Sequence, residues 1–151
     1  MASNGVAAEY FVVAELTKRG MVATLTGKNT KDIDVIAANP NTGATVLIQV
    51  KEKSLKNITD EWLMNAKIYD NQIKIGVWYV FVDLYDYKSY IISAEEMFPK
   101  LISRYDEWNK GLKKDGTPRK PDKCFYFNRR HDLLDANGNF KINNWEDLPI
   151  F

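Results

Sequence analysis

The chain has 151 residues, 45% of them hydrophobic, with 21 Lys and Arg against 20 Asp and Glu. That is enough apolar material for one domain with a sizeable core, and it excludes an intrinsically disordered chain. The net charge of +1 excludes nucleic-acid binding through global charge, so any such binding needs a local basic patch.

Residues 5–19 are predicted to form a helix. Asn4 or Ser3 can cap its start, and Gly20 stands just past its end. Val6, Tyr10, Val13 and Thr17 line one face, widened by Ala14 and Leu16, with Glu15 and Arg19 on the polar side. Glu9 falls on the apolar flank, between Val13 and Leu16. A carboxylate there is costly unless it is paired, hydrogen-bonded or bound to metal. The other reading puts Glu9 at the edge of the stripe, where the helix N-terminus favours its charge. Residues 21–26 have the length and β-branching of a short strand. The polar loop 27–31 follows, and in it Lys28 and Lys31 either meet phosphate or are simply solvated.

Residues 32–53 organise the chain. Two apolar runs, 35–38 and 46–50, flank Asn39-Pro40-Asn41-Thr42-Gly43, which is the pattern of a β-hairpin. Strand side chains alternate, so Asp32, Asp34 and Ile36 share a face, as do Leu47, Gln49 and Lys51. A loop of residues 39–44 sets Asp34 opposite Gln49 and Asp32 opposite Lys51. A slip of two residues sets Asp34 opposite Lys51. Either register gathers a carboxylate, an amide and an ammonium group on one patch, and a slip of one separates them.

A second helix is expected over about 60–71, capped by Thr59, with Ile58 and Leu63 at staple spacing and Trp62, Ala66, Tyr69 and Ile73 as its core stripe. Residues 77–84, the most hydrophobic run, read as a central strand buried on both faces, with Asp83 as a strand-end or turn residue. A strand over 89–93 follows, and Ser93-Ala94-Glu95-Glu96 is a capping box for a short helix. Pro99 is expected to begin a longer helix with Leu101, Tyr105, Trp108 and Leu112 as its apolar stripe. In residues 110–130, eight Lys and Arg, among them Lys113, Lys114, Arg119 and Lys120, outnumber Asp115 and Asp122. This Pro- and Gly-containing loop either tracks a phosphate backbone or is a solvated connection. A short strand is expected over 124–127. The tail 145–151, after an Asn137-Gly138 turn, carries enough apolar surface to dock on the body. These elements describe a single α/β domain over 1–151, a mixed central sheet flanked by helices. Its core spans about 1–100, and a C-terminal extension of helix, basic loop and tail occupies 100–151.

Most chemistries are excluded by inventory. The single Cys124 cannot form an internal disulfide, which leads us to expect a reducing, cytoplasmic compartment. No apolar stretch is long enough to span a membrane, and residues 1–5 lack the pattern of a secretory signal. With His131 the only histidine, a zinc site or a nucleophile–histidine arrangement lacks partners. No Gly-rich phosphate loop or dinucleotide fingerprint is present. Carboxylate–metal chemistry remains. Mg²⁺ prefers oxygen ligands, and Asp34, Glu9, the Val50 carbonyl and the Gln49 side-chain oxygen are the candidates. Lys51 stands beside them to orient a water or offset charge on phosphorus. The plain alternative is that Asp34 and Lys51 form a strand-to-strand ion pair.

Asp34 followed by apolar residues, then Gln49-Val50-Lys51 on the next strand, resembles the PD-(D/E)xK nuclease superfamily. Asp34 matches its Asp and Lys51 its Lys. Gln49 stands where Asp or Glu is usual, and Ile33 where Pro is usual. Methylation-dependent restriction endonucleases carry Gln-x-Lys at this place. Archaeal Holliday-junction resolvases add a Glu on the first helix, which Glu9 resembles. Over roughly the first two-thirds of the chain, the resemblance implies a restriction-endonuclease-like fold. It also implies a Mg²⁺- or Mn²⁺-dependent endonuclease acting on DNA in repair, recombination or restriction, with Glu9, Asp34, Gln49 and Lys51 as its catalytic group. Phosphate contacts are then expected at Lys28, Lys31, Lys53, Lys113, Lys114, Arg119 and Lys120, and analogy with resolvases implies a homodimer. The alternative function is a nuclease-fold binding or interaction module without turnover, which Gln49 in place of an acid favours.

Overall fold

The computed structural model describes residues 4–27, 30–53, 61–65, 75–120 and 124–151. Their elements in chain order are α1 (Asn4–Lys18), β1 (Val22–Leu25), β2 (Val35–Ala38), β3 (Thr45–Lys53), β4 (Glu61–Asn65), β5 (Val77–Asp83), β6 (Lys88–Ser93), α2 (Ala94–Lys110), β7 (Cys124–Asn128), α3 (Arg129–Asp132) and a 3₁₀ turn, Trp145–Asp147. The main sheet has the order β1-β2-β3-β5-β6. Its neighbours are antiparallel except β3 and β5, which run parallel. β4 and β7 form a separate antiparallel pair.

Alternation in the strands builds two cores. On one face Val35, Ala37, Val46, Ile48, Val50, Val80, Val82 and Ile91 pack against Ala8, Val12 and Leu16 of α1 and against Trp145, Leu148 and Ile150 of the tail. On the other, Val77, Tyr79, Phe81, Tyr90 and Ile92 meet Met97, Phe98 and Leu101 of α2, Trp62 and Met64 of β4, and Phe127. β5 and β6 are therefore covered on both faces, whereas Ile36 and Leu47 of the hairpin stay open on the face away from α1. β6 is the sheet's edge, and the tail closes it with side-chain amides. The Ile91 N–H donates to Asn144 Oδ1, the Asn144 amide donates to the Ile91 carbonyl, and the Ser89 N–H donates to Asn143 Oδ1.

Several expectations are corrected. α1 buries the Ala8–Val12–Leu16 row rather than Val6 and Tyr10, which are exposed. Apolar residues surround much of this helix, so spacing alone admits more than one inward face. It ends as expected at Gly20, where a φ of 84° lets the Met21 N–H reach the Leu16 carbonyl. Residues 61–65, expected within a helix, are strand. Trp62 and Met64 point inward and Leu63 outward, and pairing with β7 decides between two periods that five residues do not separate. The remaining stripe residues Ala66, Tyr69 and Ile73, with Ile58, Thr59 and Lys28, lie outside the described residues. Ser93 caps the helix as expected, with the Glu96 N–H donating to Ser93 Oγ, but the Glu96 carboxylate turns to Lys100 and Lys141 and the helix runs unbroken through Pro99. Burial of Met97, Phe98 and Leu101 around the proline offsets a cost of about 3 kcal/mol for an interior proline. Of the stripe expected beyond it only Leu101 is buried, and Trp108 and Leu112 are exposed.

Candidate active site

The hairpin loop fixes the site. Asn39 closes residues 39–44, donating its N–H to the Ala44 carbonyl and accepting the Gly43 N–H, with Gly43 at a φ of 76°. The resulting register pairs Val35 with Ile48 and Ala38 with Thr45. The pairing stops at Val35 and Ile48, one residue short of Asp34 and Gln49, and the Asp34 N–H turns to the same Ile48 that faces Val35. β2 ends there, while β3 continues to Lys53 beside β5 alone. The chain bends sharply just before, with Asp32 at a φ of 64°.

Asp34 takes over the ladder that β2 abandons. Its N–H donates to the Ile48 carbonyl at 2.9 Å, its carbonyl accepts from the Thr26 N–H, and its carboxylate accepts from the Val50 N–H at 2.7 Å. A backbone N–H lies in the plane of its sheet, so the carboxylate sits in the gap between the diverging strands rather than on one face. This explains how Glu9 comes near it, although α1 packs on the Val35 face. Burial raises the Glu9 carboxyl above its ordinary value, and the Asp34 charge raises it further. Asp34 is itself raised, chiefly by burial and then by Asp32, against the opposing pull of the Val50 N–H and Lys51. Lys51 is lowered by burial while Asp34 and Asp32 hold it up.

Asp34 thus lies within electrostatic reach of both Glu9 and Lys51, with Asp32 also acting on Lys51 and with Gln49 and Val50 on the adjoining stretch of β3. The free donors are hard oxygens: two carboxylates in mutual repulsion, an amide oxygen and a backbone carbonyl. That set suits Mg²⁺ or Mn²⁺, whose charge relieves the repulsion. Among the described residues no group of three or more His, Cys, Asp or Glu forms a metal-binding cluster by itself. Any site here therefore relies on the amide, the carbonyl and water to complete its shell. The hairpin pattern did not reveal Tyr79. It pairs with Gln49 across the parallel β3–β5 ladder, and burial, Asp32 and Asp34 push its phenol up to about 12. Only the strand pairing identifies it, because β3 and β5 are joined by a long crossover.

The basic residues divide. Lys53, expected to meet phosphate, is 7% exposed. Its Nζ lies 2.5 Å from Asp83 Oδ2 and packs over the Trp62 ring. Asp83 also accepts the Tyr85 and Asp86 N–H groups, so it is both the expected turn residue and the counter-ion of Lys53. Lys31, Lys113, Lys114 and Lys120 are exposed. Residues 112–118 form a tight hairpin rather than an irregular loop, with the Lys113 N–H donating to Thr117 and Leu112 bridging Pro118. Arg119 lies 4.5 Å over the Trp108 ring at its base. His131, expected in a loop, is in α3.

No protein-family model matches the chain, and no curated protein matches it in sequence. Its fold is similar to that of a bacterial homing endonuclease, with a TM-score of 0.52 over 97% of this chain and 91% of that one at 13% identity. A Holliday junction resolvase from Archaeoglobus fulgidus aligns with a TM-score of 0.42 over 78% and 84% of the chains at 12% identity. A nuclease from a fusselovirus aligns with a TM-score of 0.42 over 83% of each at 16% identity. The mixed five-stranded sheet flanked by two helices is a restriction-endonuclease-like fold.

Proposed function

We propose that the chain is a Mg²⁺- or Mn²⁺-dependent endonuclease that hydrolyses phosphodiester bonds in DNA. The observation that carries this reading is the Asp34 carboxylate, set in the gap between β2 and β3 with Glu9 and Lys51 in reach. Asp34, Glu9, the Gln49 amide and the Val50 carbonyl would hold the cation. When bound, it supplies a more acidic water and stabilises charge on the phosphate oxygens. Lys51 aims its Nζ donors at a non-bridging oxygen, where charge develops during attack. Val50 N–H, by holding Asp34 in one orientation, keeps the site preorganised. Lys31, Lys113, Lys114, Arg119 and Lys120 meet the DNA backbone, and the active form is a homodimer.

A cleavage screen over duplex, single-stranded and branched DNA, with Mg²⁺, with Mn²⁺ and with chelator, tests this directly. Metal-dependent cleavage that Lys51→Ala abolishes without lowering the melting temperature is the expected result. Light scattering during size exclusion tests the dimer. One observation favours a second reading: Gln49, next to the Val50 that holds Asp34, is a neutral amide, which suits a nuclease fold that binds DNA without turnover. Tight, salt-sensitive binding with no cleavage under any metal condition would select it.

A further inference from the structure

Tyr79 stands inside the site, yet the chemistry above gives it no task. Its position follows from the ladder. In the parallel β3–β5 pair Tyr79 lies beside Gln49, and Phe81 beside Lys51. Residues paired across adjacent strands project from the same face, so the phenol shares the face of Gln49 and Lys51. The residue is 3% exposed. Its ring stacks on Phe81 with centroids 6.3 Å apart and meets Phe98 edge-on at 6.2 Å. A strand and two aromatic neighbours therefore hold the ring, and few rotamers remain to it.

Among the described residues the Tyr79 hydroxyl has no hydrogen-bond partner, yet it is not among the buried polar atoms left unsatisfied. Asp34, one of the two carboxylates whose charge acts on the phenol, already accepts the Val50 N–H. Burial together with Asp32 and Asp34 keeps the phenol protonated, with its pKa pushed up to about 12. It is thus neither a base nor a nucleophile at ordinary pH. What remains is a fixed, neutral donor with one hydrogen to give, on the face that also carries Lys51.

We propose, on the nuclease reading above, that Tyr79 contacts the substrate: its hydroxyl donates a hydrogen bond to a non-bridging oxygen of the phosphate that Lys51 also meets. A phenol aimed at an oxygen whose charge grows during attack adds to transition-state stabilisation without an ionised group of its own. Lys51 supplies charge, and Tyr79 supplies direction. The rigidity of the ring matters here, because a donor already in place costs no reorganisation when the phosphate arrives.

Tyr79→Phe removes a single oxygen and leaves the aromatic packing intact. Its melting temperature and its Mn²⁺ titration by calorimetry should match wild type. Cleavage should fall roughly ten- to a hundredfold, mostly in kcat, and duplex affinity in Ca²⁺ should weaken. A phosphorothioate at the scissile phosphate gives a readout that a packing role would not move. Sulfur in place of the contacted oxygen should slow wild type and have a much smaller effect on Tyr79→Phe. Unchanged cleavage and affinity in the variant would overturn the contact, as would a lower rate with an undiminished sulfur effect. Failure of the nuclease reading itself looks different, because wild type then cleaves nothing with any metal. Duplex affinity decides in that case: weaker binding by Tyr79→Phe sustains the phosphate contact, and equal binding overturns it.

Discussion

Lys53→Met tests the division of the basic residues into structural and DNA-facing groups. The Lys53 and Asp83 side chains are 6% and 5% exposed, with 2.5 Å between Nζ and Oδ2. Methionine keeps most of the length of the lysine stem and its packing on Trp62 but strips Asp83 of its cation. Asp83 Oδ1 retains the Tyr85 and Asp86 N–H donors, so Oδ2 alone is orphaned. Removing one partner of a buried pair costs about 3–5 kcal/mol, and the surviving N–H bonds place this case near the lower end. In a chain of 151 residues each kcal/mol moves Tm by about 2–4 °C, so a loss of about 3 kcal/mol lowers Tm by roughly 6–12 °C. Lys53→Met/Asp83→Asn removes the orphaned charge as well and should recover most of that loss. Urea unfolding followed by tryptophan fluorescence measures both variants, with an unchanged m-value confirming that midpoints can be compared. A wild-type midpoint for Lys53→Met, together with a shallower salt dependence of DNA binding, would refute the reasoning and put Lys53 back on the surface.

Glu9→Gln should weaken Mn²⁺ binding and cleavage while stability holds or rises, because it removes a charge that burial and Asp34 both disfavour. Adding Gln49→Glu should partly restore both activities, and equal Mn²⁺ affinity in wild type and Glu9→Gln by calorimetry would make Glu9 structural. Neutralising Lys113, Lys114, Arg119 and Lys120 together should flatten the dependence of DNA affinity on salt. Each lost phosphate contact removes about 0.9 from the log–log slope, and an unaltered slope would leave the hairpin merely solvated. The native state holds the Glu9 and Asp34 protons more tightly than their ordinary values of 4.5 and 3.8. Their contribution to stability is therefore full below those values and lost as pH rises through the raised ones. Melting curves across that window should show wild type losing stability relative to Asp34→Asn in chelator, and Mg²⁺ should reduce the difference.

The parts of the site written in local sequence were legible, and those made by crossovers were not. Turn residues at Asn39 and Gly43 fix a loop of known length, and with it the register that pairs Val35 with Ile48. The same holds for Gly20 and Ser93, whose chemistry marks the end of α1 and the start of α2. By contrast, Lys53 meets Asp83 and Gln49 meets Tyr79 only because β3 and β5 are parallel neighbours. Parallel pairing places no turn between its strands, so nothing local records its register. Residues 61–65 fail for another reason. Trp62 and Met64 fit either a strand or a helix edge over so short a span, and a partner strand some sixty positions later decides. Pro99 shows packing overriding a local stop signal.

The amide seal over β6 also constrains the order in which the molecule is made. Asn143 and Asn144 follow the strand backbone they bind by 54 and 53 positions. Trp145, Leu148 and Ile150 of the same segment complete the layer around α1. A ribosome that has released only the sheet and α2 therefore presents an edge strand with unpaired peptide groups and a first helix whose apolar side is half covered. Nascent chains on one message would display that edge to one another, and β-edge pairing between them competes with closure. Closure once residues 143–150 have emerged is the step at which a holdase, or slow translation upstream of residue 143, would act on the yield of folded protein.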